Sequence, residues 1–410
     1  MTVLRNNHIA IVGQGYVGLP LAMQAYRCGF RVLGIEENES RLQSLNSGIS
    51  YIEDVESVDL QAAINSGFYR ATFDYAEVSE CSVIIVCVPT PITKEKIPDL
   101  SYLVNAMKSI AKYVTKDTLL VSESTSYPGT LRHVIEPIFA EASEVFSKLF
   151  FAVAPERINP GGTDFLSVPR VVSGLDVESS KRVVHLYSRL GFRVMLSSSP
   201  EIAEASKLLE NTFRQVNIAL VNEFAKIMHQ LQIDTREVIE MAATKPYGFM
   251  KFSPGPGVGG HCIPVDPYYL VWAAAQVNYE SDFILNASKI NENMPSYVVS
   301  RVEELLDKKL DGKQVLIVGL AYKEGVSDLR ESPALELIEK FKSKGCSVSW
   351  YDERVQEFGG ETASSLNAIY DVVVISLSHL ELPIGAWVEA GTVIFDCTGY
   401  YSGAPSVNQL

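Results

Sequence analysis

Apolar residues along the first half of the chain fall in short unbroken runs: HIAIVG (8–13), RVLGIE (31–36), SVIIVCV (82–88), TLLVSES (118–124) and FFAVAP (150–155). Longer stretches with helical spacing separate them. Runs rich in β-branched residues without polar alternation suit strands covered on both faces, as in a parallel sheet whose crossovers are helices. The pattern predicts βαβ units and a doubly wound N-terminal domain. From Pro200 it changes, because EIAEASKLLENTFRQVNIALVNEFAKIMHQL keeps apolar residues at helical spacing over 201–231 with neither Gly nor Pro. One long helix is expected there. Helical spacing continues to about Leu310, broken by the Gly- and Pro-rich FSPGPGVGGHCIPVDP (252–267), and strands resume in KQVLIVGLAYK (313–323), CSVSWYD (346–352), DVVVISLS (371–378) and TVIFDC (392–397). The fold class expected is α/β in three parts: a Rossmann-like doubly wound domain over 1–199, a helical middle over 200–310, and a second, smaller Rossmann-like α/β domain over 311–410. The last dozen residues, with Gly403, Pro405 and Ser406, read as a loose tail.

Composition narrows the class. At 410 residues the chain exceeds one ordinary core, and its hydrophobic share of 47% and charged share of 20% are those of a globular protein. No window holds the run of apolar residues a membrane span needs. The apolar run near the N-terminus leads into glycines spaced for a turn and lacks a small-residue cleavage site, so it reads as a strand and not as a signal peptide. The six cysteines, Cys28, Cys81, Cys87, Cys262, Cys346 and Cys397, form no CxxC pair and no short repeated spacing. Neither a metal site nor a disulfide framework is indicated, and a reduced cytoplasm fits. A net charge of −14 argues against nucleic acid as the main partner.

Candidate chemistry begins at the first strand. Gly13, Gly15 and Gly18 form GxGxxG where that strand ends and a helix opens, a pattern that permits a tight turn, close approach to a pyrophosphate and close helix packing. Tyr16 and Val17 lie within the turn. Glu36 ends the next strand, where an acid can bond ribose hydroxyls and repel a 2′-phosphate, so NAD is preferred over NADP; Arg41 nearby weakens that discrimination. Two later strands end in CVPTP (87–91) and ESTSYPGT (123–130), placing Pro89, Thr90, Ser124 and Thr125 at the edge where ligands bind. Loop capping is the plainer reading of the two threonines.

Cys262 alone among the cysteines sits in a glycine-rich loop, GVGGHCIPVDPYYL (257–270), with Asp266 four residues on. The other five read as inert core thiols. His261 is discounted as its base because adjacent side chains point apart. A thiol beside a dinucleotide site points to oxidation beyond the aldehyde, since an aldehyde must gain a nucleophile before a second hydride can leave. Lys207 and Asn211, four apart on the long helix, share a face and could bond a developing oxyanion together. The plainer reading is a solvent-facing pair.

These motifs, GQGYVGLPLA, CVPTP, ESTSYPGT, APERINPGG (154–162), KLLENTFRQVNIALVNE (207–223), GGHCIPVDPYYL and LAYKEGVSDLRESPALEL (320–337), resemble those of the UDP-glucose and GDP-mannose dehydrogenase superfamily over essentially the whole chain. The resemblance implies an NAD domain, a helical middle that makes a homodimer, a C-terminal nucleotide-sugar domain, a UDP-sugar substrate and two NAD consumed per turnover. It implies that Cys262 is the nucleophile, with Lys207, Asn211 and Asp266 as polar partners and Thr125 holding the catalytic water. Glu156 matches the first glutamate of the family's NPEFLRE segment, near nicotinamide and substrate. Lys323 matches a lysine that contacts the sugar nucleotide, and Arg330 an arginine that reaches NAD. The loop Phe252 to Gly259, including Pro254 and Gly255, matches the one that wraps the substrate.

One departure matters: Pro160 stands where UDP-glucose enzymes carry a second glutamate. The PERINPG form and GGHCIPVDPYY in place of GGSCFPKD look like the branch acting on N-acetylated sugars, with Arg157 a candidate substrate contact. UDP-N-acetylglucosamine is the first choice, UDP-N-acetylmannosamine or UDP-N-acetylgalactosamine the next, and UDP-glucose a further alternative. The product would be a uronic acid for surface polysaccharide synthesis. Two rivals stand beside this reading: a binding module without turnover, and a two-electron hydroxyacid dehydrogenase that needs no cysteine.

Overall fold

The computed structural model describes residues 4–157, 165–260, 262–307, 309–378, 381–401, 403–404 and 406–410. Contacts divide the chain into two units, Met1–Glu210 with Tyr268–Asn278, and Asn211–Pro267 with Tyr279–Leu410.

The first unit is built on eight strands: β1 His8–Val12, β2 Arg31–Ile35, β3 Tyr69–Thr72, β4 Val83–Val86, β5 Leu119–Ser122, β6 Phe150–Val153, β7 Arg170–Gly174 and β8 Val194–Leu196. They lie in the order β3-β2-β1-β4-β5-β6-β7-β8, parallel except where β7 runs antiparallel to β6. The reason the runs carry no polar alternation is visible in β1: Ile9 and Ile11 enter one apolar layer, Ala10 and Val12 the other. In β4, Val83 and Ile85 face the first layer and Ile84 and Val86 the second. Both sheet faces are thus buried under helices, each large aliphatic side chain stabilising by about 1.5–3 kcal/mol. The strand order reverses between β2-β1 and β4, which puts the crevice for a ligand at the carboxyl ends of β1 and β4. β3, β7 and β8 were not marked by apolar runs. YRAT has one buried residue and VML lies at a sheet edge with Met195 and Leu196 exposed, so neither has the buried run that betrays a central strand.

The long helix runs Pro200–Leu231, as its spacing predicts. The second unit carries an all-parallel sheet of β9 Gln314–Val318, β10 Ser347–Tyr351, β13 Val372–Ile375, β14 Val393–Asp396 and β15 Val407–Gln409, in the order β10-β9-β13-β14-β15; β11 Glu357–Phe358 and β12 Glu361–Thr362 form a separate hairpin. Val315 and Ile317 face one apolar layer and Leu316 and Val318 the other, repeating the logic of the first sheet. No helix of the described residues is long and apolar enough to cross a membrane.

The expected loose tail is not one. Val407 to Gln409 pair with Ile394 to Asp396 as an edge strand, and Leu410 is buried. The ladder hydrogen bonds and one buried leucine outweigh the Gly, Pro and Ser that precede them. A chain ending at Ser406 should therefore lose about 2–4 kcal/mol of stability. Thermal melting followed by circular dichroism checks this; an unchanged midpoint would mean that β15 holds nothing.

Candidate active site

The three glycines after β1 do three different things. Gly13 has φ +88°, and a Cβ there would lie 2.6 Å from the Cys87 carbonyl oxygen, so the turn excludes a side chain on both grounds. A Cβ on Gly18 would run into the Gly13 carbonyl, which lets the helix Gly18–Arg27 start hard against the strand. Gly15 is the opposite case: no atom lies within 4 Å of where its Cβ would be. That open space is the cradle a pyrophosphate needs. The helix has no side-chain cap at Val17 and no acid in its first turn, so its positive end faces that space without a competing carboxylate. Tyr16, in the turn, packs against the apolar layer.

Glu36 is held by its own turn. Its Oε2 accepts the Gln14 N–H at 3.2 Å and its Oε1 the Asn38 N–H at 2.9 Å. Each carboxylate oxygen keeps a second lone pair, so these bonds aim the group without exhausting it for ribose hydroxyls. Gln14, which the motif leaves as an unspecified x, is fully buried and ties the site together. Its Nε2 donates to the Ile11 carbonyl at 2.8 Å, its Oε1 accepts from Tyr69 at 2.9 Å, and its carbonyl accepts from Tyr51 at 2.7 Å. Arg41 is exposed, its guanidinium 5.5 Å from the centre of the Tyr51 ring.

At the ends of β4 and β5 the two turns are anchored rather than loose. Ser124 Oγ donates to the Val88 carbonyl at 2.8 Å, and Tyr269 donates to the Thr90 and Pro91 carbonyls at 3.0 and 3.2 Å. Ser124 is therefore a strut between strands, while Thr90 and Thr125 are half-buried and Pro89 exposed. Glu204 on the long helix accepts the Gly129 and Leu131 N–H groups at 2.6 and 3.0 Å, fixing the PGT turn. Burial pushes its carboxyl up to about 7 against the pull of those two bonds.

Glu156, just beyond β6, is buried; its Oε1 accepts the Arg157 N–H at 2.5 Å and its Oε2 a bond from the Arg170 guanidinium. Arg170 also stands 3.6 Å from Glu123, which in turn accepts from Tyr187. Sequence reasoning missed Glu123, Arg170 and Tyr187, which come from three distant segments. The one signal was an arginine opening the apolar strand RVVSG. Arg157 is engaged by protein groups, donating to Glu210 through Nε at 3.0 Å and to the Pro169 carbonyl at 2.9 Å.

In the second unit, the Cys262 carbonyl accepts the Val265 and Asp266 N–H groups at 3.1 and 2.8 Å, a turn that leads straight into the helix Asp266–Gln276. Asp266 is buried in the first turn of that helix, where the macrodipole favours its charge, and Asn211 Nδ2 donates to its Oδ2. Lys207, one helical turn before Asn211, is buried, so the solvent-facing reading of this lysine does not hold. His261 and Pro160 lie outside the described residues.

The glycine loop before Cys262 is pressed onto the last α/β layer. Gly260 donates to the Arg330 carbonyl at 3.0 Å, and Cβ atoms on Gly259 and Gly260 would lie 2.6 and 2.8 Å from Tyr322, next to Lys323. A chain of buried side-chain amides holds the loop's other end. Asn222 Oδ1 accepts the Gly255 N–H at 2.9 Å, Asn222 Nδ2 donates to Asn291 at 2.9 Å, and Asn291 donates to the Gln215 carbonyl at 3.1 Å. Pro254 is buried and Phe252 meets Phe213 edge-on at 6.2 Å. Arg330, expected to reach NAD, turns its Nε onto Asp328 at 2.9 Å.

Comparison with known proteins agrees along the whole chain. Models of the UDP-glucose/GDP-mannose dehydrogenase family match at residues 7–191 (NAD binding domain), 201–293 (central domain) and 316–401 (UDP binding domain). The UDP-N-acetyl-D-glucosamine 6-dehydrogenase of Pseudomonas aeruginosa is 36% identical over 393 residues, 92% of each chain. The UDP-N-acetyl-D-mannosamine dehydrogenase of Methanocaldococcus jannaschii is 35% identical over 382 residues, 91% of this chain and 86% of its own. The solved structure of a UDP-D-ManNAc dehydrogenase from Pyrococcus horikoshii superposes with a TM-score of 0.88 at 30% identity, covering 98% of each chain.

The glycine geometry makes a graded prediction. A Gly15→Val variant should fold with an unchanged melting temperature yet bind NAD at least about tenfold more weakly, whereas Gly13→Val should lose both stability and binding. Calorimetric titration with NAD beside a thermal melt separates the two; normal affinity in Gly15→Val would refute the cradle.

Proposed function

Because the chain belongs to the UDP-glucose/GDP-mannose dehydrogenase family and is an NAD-dependent UDP-sugar dehydrogenase, we propose that its substrate is a UDP-N-acetylhexosamine, UDP-N-acetylglucosamine first, and that its C6 alcohol is oxidised to a carboxylate through a thioester on Cys262. The observation that carries the mechanism is the turn at Cys262, which delivers a thiol into a glycine-rich loop and sets Asp266, bonded to Asn211, one turn of chain away. NAD supplies the acceptor for the electron pair removed in each of the two oxidations. The thiol adds to the aldehyde carbon to give a thiohemiacetal; its oxidation gives the thioester, and water then releases the carboxylate and restores the thiol. Asn211 and Lys207 are assigned to the oxyanion, Asp266 and Thr125 to the attacking water, and Glu156 with Arg157 to the substrate side. Lys323, Phe252, Pro254, Gly255 and Gly259 are assigned to the sugar nucleotide, and Arg330 to NAD.

The choice of sugar rests on the PERINPG and GGHCIPVDPYY segments and on the relative from Pseudomonas aeruginosa, named for UDP-N-acetyl-D-glucosamine. UDP-N-acetylmannosamine is the second reading, favoured by the names of the archaeal relatives. We retain the three-domain division at 199 and 310, a cytoplasmic setting suited to six cysteines outside any disulfide, and a role in supplying uronic acid for surface polysaccharide. A homodimer through the long helix is supported by Leu209, Phe213, Leu220 and Ile227, which are four or seven residues apart and 64, 47, 60 and 49% exposed. Such a stripe is costly to leave in water.

Two measurements follow. With UDP-N-acetylglucosamine the wild type should form two NADH per sugar, while Cys262→Ser should fall roughly 1000-fold in turnover; equal carboxylate formation by the variant would sink the thioester. Leu220→Arg should shift the molecular mass seen by light scattering from dimer to monomer at micromolar concentration, and an unaltered dimer would place the interface elsewhere.

A further inference from the structure

Beneath the active edge of the first sheet lies a cluster of which the reading above uses only Glu156. Arg170 on β7 is fully buried, donates to Glu156 Oε2 and stands 3.6 Å from Glu123 Oε2. Aromatic faces wall it in: its guanidinium carbon lies 4.4 Å from the centre of the Phe192 ring and 5.8 Å from those of Phe165 and Tyr187. Glu123, beyond the end of β5, accepts from Tyr187 and lies 3.9 Å from the Cys87 sulfur, and its carboxyl is within hydrogen-bonding reach of that of Glu156. The groups facing Glu123 are thus Cys87 from β4's end, Glu156 from β6's end, Arg170 from β7 and Tyr187 from the helix Val177–Arg189.

Two carboxylates over one guanidinium would leave a net negative charge where water cannot screen it. One retained proton cancels that charge, so the pair shares a proton. Geometry says which group keeps it. Glu156 receives both the direct guanidinium bond and the Arg157 N–H, which favour the carboxylate, whereas Glu123 is the more deeply buried and the farther from Arg170. Burial, reinforced by Glu156 and opposed by Arg170, pushes the Glu123 carboxyl up to about 7.

We propose that Arg170 and Glu123 are positioning residues for the oxidation: Arg170 clamps Glu156 toward the reacting alcohol, and Glu123 shares the proton that Glu156 takes from that alcohol's O–H as the C–H electron pair leaves for NAD. This rests on the reading of Glu156 as a substrate-side group. It also supplies, from beneath the site, the second carboxyl that Pro160 removes from the family's motif.

With Glu123 ionised it can take up the proton that Glu156 receives; with Glu123 protonated that second site is already filled. Wild-type kcat should therefore fall about tenfold from about pH 8 to about pH 6, and the Glu123→Gln variant should be nearly flat over that range with a lower plateau. Arg170→Lys should lower kcat with little change in KM for the UDP-sugar, because the compact ammonium of a lysine cannot take the place of the planar guanidinium that lies against both Glu156 and Glu123. An infrared pH titration of the full chain gives a reading independent of activity. The wild-type minus Glu123→Gln difference should contain a protonated-carboxyl band titrating near neutral pH, the similarly titrating Glu204 cancelling between the two. Retention of the wild-type acid limb in Glu123→Gln, or absence of that band, overturns the inference while leaving Glu156's role standing. Wild-type turnover in Glu156→Gln overturns the role of Glu156 itself, and the catalytic half of the inference with it.

Discussion

Parallel pairing at the centre of the first sheet is the constraint from which the rest of that unit follows. With β2, β1 and β4 running the same way, the residues that leave them, Gly13, Glu36 and Cys87, arrive at one edge, and the order reverses there. The crevice is a consequence of topology before any side chain is chosen. Gly13 and Gly18 are required because the helix must restart within touching distance of the strand it has just left, and Gly15 is free of that demand, which is why it can face a ligand.

The second unit solves a different problem. A loop of glycines has no side chains with which to hold itself, so its position must be imposed from outside. Tyr322 and the Arg330 carbonyl press on one end and the Asn222, Asn291 and Gln215 amides hold the other. The Asn222–Asn291 and Asn291–Gln215 bonds of that amide chain are buried, and a lost partner there would leave a desolvated amide costing about 1–3 kcal/mol. The loop is thereby fixed without being filled, and Cys262 follows it into a helix whose first residue is Asp266. The turn at Cys262 is set by backbone bonds, and Asp266 four residues on is held by Asn211.

Much of this was legible because local rules and global fold agree. Unbroken apolar runs gave β1, β2, β4, β5 and β6 because both faces of those strands are covered, and the absence of Gly and Pro over 201–231 gave the long helix. GxGxxG was informative because each glycine answers a separate steric demand. The edge strands β3 and β8 stayed hidden because an edge needs fewer buried residues, and β15 because the turn residues before it resemble a tail. Asn211 and Asp266 were each singled out, but their bond to one another was not anticipated, nor were Gln14 and the Glu123, Arg170 and Tyr187 cluster. Their partners lie far apart in sequence, and buried polar networks have no periodicity.

The central claim is covalent catalysis by Cys262, and trapping tests it most directly. Asp266→Asn enzyme, mixed with NAD and UDP-N-acetylglucosamine and quenched in acid, should gain the mass of one UDP-uronyl acyl group, located by peptide mapping on the peptide that contains Cys262. An unmodified Cys262 in enzyme that has nonetheless turned over would contradict the account.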